Sequence, residues 1–221
     1  MVNTTELKVG NDVVINKNKV KYLGGLLDNG LSGIDMANKV IMKVNSGLKF
    51  LHRKGVFLNS KLRKTISLSL LQPHFDYANI FWYLGLNKTL CNKLQVAQNK
   101  IVRFILCKDN RFHLDSHHFK KLGILKVDKR VDYLMLNLMH SVFYGSAPSY
   151  LCDSFKKKES GEQFIRTRHS LHSFHLPKVN THGLNTLRYR GARLWNGLNN
   201  DLKQCQDKYA FKKKLKLHFL N

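Results

Sequence analysis

The period of the apolar positions changes sharply near residue 34. Before it, Val13-Val14-Ile15 and Val20 to Leu27 are short β-branched or aliphatic runs separated by Asn16-Lys17-Asn18-Lys19, which predicts a β-hairpin. After it, Ile34, Ala37, Ile41, Val44, Leu48 and Leu51 alternate spacings of three and four, the seam of an amphipathic helix; Lys39, Lys43, Lys49 and Arg53 lie off that seam. A second helix opens behind Asn59 or Ser60 as cap, with Lys61, Arg63 and Lys64 near its start, and Pro73 interrupts its apolar run. A third, from about Asn87 to Leu106, carries Leu90, Leu94, Ala97, Ile101 and Phe104 on one stripe and Lys93, Lys100 and Arg103 outside it. Three helices with matching stripes bury one another and leave a basic side exposed.

Residues 127–144 are patterned differently. Val127, Val131, Tyr133, Leu134, Met135, Leu136, Leu138, Met139, Val142 and Phe143 cover most of the circumference, which predicts a central buried helix, stopped by Gly145 and Pro148. Ser154 to Ser170 turns polar and reads as a connector. Beyond it, Phe174 to Pro177 and Leu187 to Tyr189 read as short strands, and Tyr209 to Leu220 as a terminal helix with Phe211, Leu215 and Phe219 on one side and lysines around it. The expected fold is mainly α: an N-terminal β-hairpin (1–30), a multi-helix bundle (31–110), a helical core region (111–155) and a smaller basic region of helix and short strands (156–221). A two-stranded hairpin is marginally stable alone, so the hairpin is expected to pack on a larger protein.

Charge adds a partner to this picture. The chain has 38 Lys plus Arg against 14 Asp plus Glu, a formal +24, and such a surface attracts phosphate backbones by counterion release whatever their sequence. The distribution is uneven: +10 over 31–110 and +11 over 156–221 flank +2 over 111–155. Cys91, Cys107, Cys152 and Cys205 form no Cys-x-x-Cys pair, so a reducing, intracellular setting is expected, with nucleus and cytoplasm undistinguished. There is no apolar signal core at the N-terminus, and the acceptor-like Asn3-Thr4-Thr5 and Asn87-Lys88-Thr89 carry no weight without one.

Candidate chemistry is sparse. His113, His117 and His118, with Asp115, and the triplet His169, His172 and His175 have partial metal spacing but lack a full zinc ligand set, and read better as surface imidazoles that add to phosphate attraction. Polymerases hold two divalent ions with paired carboxylates; this sequence has no Asp-Asp, Asp-Glu or Glu-Glu pair, no Gly-rich phosphate loop and no nucleophile elbow.

Several short segments, in order, resemble one family. Val20-Lys21-Tyr22-Leu23-Gly24-Gly25-Leu26-Leu27-Asp28 followed by a basic helix, then Leu71-Gln72-Pro73, Tyr77, Trp82, the run Leu94 to Arg103, Ala147-Pro148-Ser149-Tyr150-Leu151, Thr167-Arg168, Tyr189 to Asn196 and Phe211-Lys212 resemble the region after the palm in reverse transcriptases of non-LTR (LINE-type) retrotransposons. The resemblance implies a palm-end hairpin, a thumb-like helical region and a C-terminal region, with the catalytic carboxylates upstream. It implies that Tyr22, Leu23 and Gly24 place the primer end, and that Lys39, Lys43, Lys49, Arg53, Lys61, Arg63, Lys64, Lys93, Lys100 and Arg103 meet the backbone of RNA, DNA or an RNA/DNA hybrid. No cofactor is expected in this chain, since magnesium would belong to the missing palm. Two positions depart from the family: an aromatic is usual near Gly33, which implies looser packing of the hairpin, and a Leu-Pro is usual where Leu198-Asn199 stands, which leaves the last helix boundary less fixed.

Two other classes fit parts of the sequence. A helical interaction module would use the Ile34 to Leu51 seam for self-association; an anionic-membrane binder would use the helix from Phe211 to Phe219. From the absence of paired carboxylates, the purified chain is expected to extend no primer on an RNA template with magnesium. Extension that survives re-purification would overturn that reading.

Overall fold

A computed structural model describes residues 7–10, 12–14, 17–55, 57–158, 172–180 and 182–221. Asn3-Thr4-Thr5, Ile15 and Asn16 of the expected hairpin, and Glu159 to Ser170 of the expected connector, with Thr167, Arg168 and His169, lie outside them. The described chain is mainly helical, with antiparallel hairpin structure at the N-terminus followed by helices.

The hairpin pairing differs from the expectation. Among the described residues, Val13 and Val14 do not pair with the run 20–27; they pair with Leu7 and Lys8, and the run 20–27 folds back on itself. β1 (Leu7–Val9) pairs with β2 (Asp12–Val14), and β3 (Lys19–Tyr22) pairs with β4 (Gly25–Asp28) in the register Tyr22 to Gly25 and Lys19 to Asp28. The cause is turn chemistry. Leu23 and Gly24 both take positive φ, 45° and 82°, and a two-residue turn with both centres left-handed matches the twist of the strands it joins. The Asn29 N–H donating to the Asn18 carbonyl at 3.1 Å closes the open end.

α1 (Ile34–Lys54) follows, then α2 (Ser60–Leu70), α3 (Gln72–Asp76), α4 (Asn79–Trp82), a 3-10 turn (Tyr83–Gly85) and α5 (Lys88–Ile105). Asn59 and Asn87 cap α2 and α5, each side-chain oxygen accepting from an amide three residues on at 2.9 Å. The seam of α1, with Ala37, Val44 and Leu48 at its centre, packs on Leu94, Ala97 and Ile101 of α5 and forms the first core with Leu71, Phe75 and Trp82. Each of the Val, Leu, Ile and Phe side chains among them contributes ~1.5–3 kcal/mol when taken from water. Gly33, at φ +71°, has a definite role: a Cβ there would lie 2.1 Å from the Trp82 carbonyl oxygen. The glycine therefore brings the chain entering α1 directly against the Trp82 backbone, where any side chain would collide.

α6 (Ser116–Leu122) leads into α7 (Val127–Phe143), the central helix. Its first turns place Val127 and Val131 in the first core. Its later turns place Leu136, Met139 and Val142 in a second core with Phe174, Trp195 and Phe211, and Met135 is fully buried between. α8 (Ser149–Cys152), α9 (Leu187–Asn196), α10 (Asn200–Lys203) and α11 (Lys208–Leu220) complete the second layer. Leu187 to Tyr189, expected as strand, opens α9 instead: Thr186 caps it, and Leu187, Gly191, Ala192 and Trp195 give helical spacing toward α7. The expected strand at Phe174 reduces to a single bridge with Lys157. Asn199 stands at the N-cap of α10, and the last helix, α11, opens behind Asp207, whose carboxylate accepts from the Ala210 amide at 2.6 Å. Among the described residues no helix is long and apolar enough to cross a membrane.

His140 sits inside the second core, its ring 4.4 Å from Phe211 and 4.7 Å from Tyr144, its Nε2 donating to the Cys205 carbonyl at 2.8 Å. Nδ1 is buried without a partner among the described residues, and burial pushes the imidazole below its ordinary value of 6.5. His74 is pushed the same way, by burial and by Lys43. The unfolded chain therefore binds protons that the folded chain refuses, and stability should fall as pH drops below about 6.5. Urea midpoints from about pH 7.5 to 5 should fall, and His140→Gln should flatten that slope, leaving the His74 contribution. An unchanged slope in the variant would show that the ring is not held neutral.

Candidate nucleic-acid interface

Three contacts tie the β3–β4 hairpin to the helical region, and two more brace the chain that leaves it. The Tyr77 hydroxyl, just after α3, donates to the Leu23 carbonyl, and Lys39 Nζ donates to the Gly24 carbonyl at 2.7 Å. Lys19 pairs with Asp35 in the first turn of α1 at 2.9 Å. Asp28 accepts from the Ser32 amide at 2.9 Å and from its hydroxyl at 3.1 Å, and the amide bond above all holds its carboxyl below the usual range. The tip is thus directed by backbone carbonyls that strand pairing leaves free, while the Tyr22 and Leu23 side chains stand 64% and 77% exposed. Leu23 thus combines a positive φ and an exposed apolar side chain with a carbonyl held by Tyr77.

Beside the tip lies an open cleft of about 200 Å³, lined by Gly24, Met36, Lys39, Val40, Lys43, His74 and Tyr77. A second, of about 440 Å³, runs along the other flank of α1 against α5 and holds Asn45, Thr89, Asn92, Lys93 and Lys100, with Lys100 Nζ donating to Asn45 at 3.3 Å. α1 is therefore a ridge between two clefts. Lys43, Lys49 and Arg53 are exposed on it and make no ion pair among the described residues; its one carboxylate, Asp35, is paired with Lys19. At this surface cations are gathered without compensating acids.

The thirteen residues expected to bind do not all reach this surface. Tyr22, Leu23 and Gly24 form the tip, Lys39 and Lys43 line the first cleft, Lys93 and Lys100 the second, and Lys49 and Arg53 the ridge. Lys61 is exposed on α2, whereas Lys64 is half-buried and close enough to Lys216 of α11 to help lower that ammonium, after burial and Arg130. Two arginines are framework. Arg63 donates to the Leu58 and Phe104 carbonyls at 2.9 and 3.3 Å and lies 4.9 Å over the Phe104 ring; Arg103 donates to the Phe112 carbonyl at 2.9 Å. His118 is engaged by Asp115 at 2.6 Å as a capping box on α6, and among the described residues no three His, Cys, Asp or Glu converge on a metal position.

The chain matches no protein-family model, no curated protein and no solved structure. The site therefore rests on its own geometry. Sequence patterning missed His74 as a cleft residue, and gave Tyr77 no place in the site, because each joins it through contacts with distant parts of the chain. A Tyr77→Phe, Lys39→Met double variant removes both donors to the tip. Amide exchange over residues 19–28 should quicken about five- to tenfold, ~1–1.4 kcal/mol of lost bonding, with α5 unchanged. Unchanged exchange would mean that these contacts do not hold the hairpin.

Proposed function

We propose that this chain is the primer-grip hairpin, thumb and C-terminal region of a reverse transcriptase of the non-LTR retrotransposon type, and that it binds nucleic-acid backbones without reading their sequence. The observation that carries the proposal is the α1 ridge: a basic helix, free of unpaired carboxylates, that follows directly on a hairpin whose tip it helps to hold. The order of the short motifs supports the same reading. In it, the hairpin tip abuts the end of the primer strand, Lys43, Lys49, Arg53, Lys93 and Lys100 neutralise phosphates, and Lys39 and Tyr77 position the tip. The polymerase chemistry would reside in carboxylates outside this sequence.

Backbone contacts position a duplex without specifying its sequence. With about four to six phosphates neutralised, log K against log salt should slope roughly −4 to −5 on an RNA/DNA hybrid. Replacing Lys43, Lys49, Arg53 and Lys93 by Gln should weaken hybrid binding more than replacing Lys156, Lys157, Lys158 and Lys213, although each set removes four charges. Cations on a packed helix lose less freedom when they bind than cations outside helices, where Lys156, Lys157 and Lys158 lie; Lys213, on α11, is included to equalise the charge removed. Both sets would be compared by anisotropy at fixed salt, with helix content checked by circular dichroism. Equal losses would reduce the chain to a diffuse electrostatic binder, and a slope near zero would remove the nucleic-acid reading.

A further inference from the structure

The far end of α1 carries a feature that phosphate binding leaves unused. Phe50 is 52% exposed and Phe57, three residues past the helix end, is 97% exposed. Neither exposure comes from a loose terminus. Phe50 is two turns from Lys43 and one from Arg53 and Lys54 on a helix packed along its length, and its position lies outside the buried seam. Gly55 and Leu58, on either side of Phe57 in the sequence, are each held in place. Gly55 is buried so closely that a Cβ would lie 2.9 Å from the Phe104 ring and 2.5 Å from the Leu51 carbonyl oxygen. Leu58 donates its amide to the Gly55 carbonyl at 3.1 Å and accepts from Arg63 Nε at 2.9 Å. Arg63, which is withdrawn from the basic face, thus helps to fix the base from which Phe57 projects.

Phe50 stands one turn from Arg53 and Lys54, Phe57 lies three residues past the helix end, and the last turns of the helix carry no acid; exposed rings on a basic segment match an anionic ligand that has flat apolar faces. We propose that Phe50 and Phe57 form a stacking site for unpaired bases, so that α1 binds a single strand or an overhang at its C-terminal end. The inference rests on the nucleic-acid reading above and narrows it. A duplex hides the faces of its bases except at its ends, so these rings add little there. An unstacked base offers a face to each ring while the neighbouring cations meet its phosphates, an arrangement common to non-specific single-strand binders.

The test uses the full chain, a labelled oligothymidylate and a blunt duplex of the same length, compared by anisotropy at one salt concentration. Phe50→Ala with Phe57→Ala should lower single-strand affinity about tenfold or more and change duplex affinity by less than about twofold. Phe50→Tyr with Phe57→Tyr should retain the wild-type values, since the ring face persists. Photo-crosslinking with an iodouracil strand should label the peptide that holds Phe50 or Phe57. Equal losses on both ligands, or no loss on the single strand, would overturn the stacking site while leaving salt-dependent backbone binding intact. Wild-type protein that binds neither ligand would overturn both readings. Dimers in high salt that the alanine variant dissolves would assign the rings to self-association and likewise overturn the stacking site.

Discussion

One helix serves two cores, and the rest of the arrangement follows from that sharing. α7 gives Val127 and Val131 to the cluster beneath α1 and α5, and Leu136, Met139 and Val142 to the cluster beneath α9 and α11. A rod buried around most of its circumference cannot be shed by either side without exposing apolar surface on the other. Polar contacts fix its position at the start. Gln95 of α5 accepts from the Val127 amide at 3.0 Å, satisfying a first-turn donor, and the buried Gln98 donates to the Leu125 carbonyl at 2.8 Å. Further along, Gly191 of α9 comes so close that a Cβ there would lie 2.7 Å from the Met139 sulfur.

The helices were legible in the sequence where periodicity was strong. The seam from Ile34 to Leu51, the stripe of α5 and the near-continuous apolar cover of α7 are local patterns, and local patterns suffice to place a helix, although at the start of α1 Ile34 is 42% exposed and Met36 and Val40, outside the expected seam, are buried. The strand pairing was not legible, because it depended on Leu23 accepting a left-handed turn that a β-branched or bulky apolar residue seldom takes. Leu187 to Tyr189 misled for the opposite reason: three residues are too few to show a period, and the helical spacing emerges only when Ala192 and Trp195 are included. Asn196 could not have been read at all. Its side-chain amide both accepts from and donates to the Phe174 backbone, at 2.9 and 2.8 Å, mimicking a strand neighbour across twenty-two positions of sequence.

Basic residues of one type take quite different parts here. On α1 and α5 they gather beside clefts with little acid near them, while Arg63 and Arg103 are consumed by carbonyl groups of the framework. Lys203 is buried with Nζ on the Asn196 carbonyl at 2.7 Å, and burial lowers its ammonium from its usual range. Guanidinium groups with a planar fork of donors suit the first of these structural roles, where two carbonyls must be met at once. A count of charges along the sequence therefore overstates the cations that stand free at the surface, since Arg63, Arg103 and Lys203 are spent on backbone carbonyls.

The two ion pairs on α7 have opposite polarity. Arg130 reaches down to Asp76 of α3 with both arms of its fork, at 3.0 and 2.8 Å, and two residues later Asp132 receives Arg190 of α9 at 3.0 Å. If the two layers exchanged sides, Arg130 would confront Arg190 and Asp132 would confront Asp76, and like charges set together at partly buried positions repel. The central helix is thus keyed like a plug with unlike pins: the order of one arginine and one aspartate adds a charge penalty to the exchanged arrangement, beside the close fit of Gly191 on Met139.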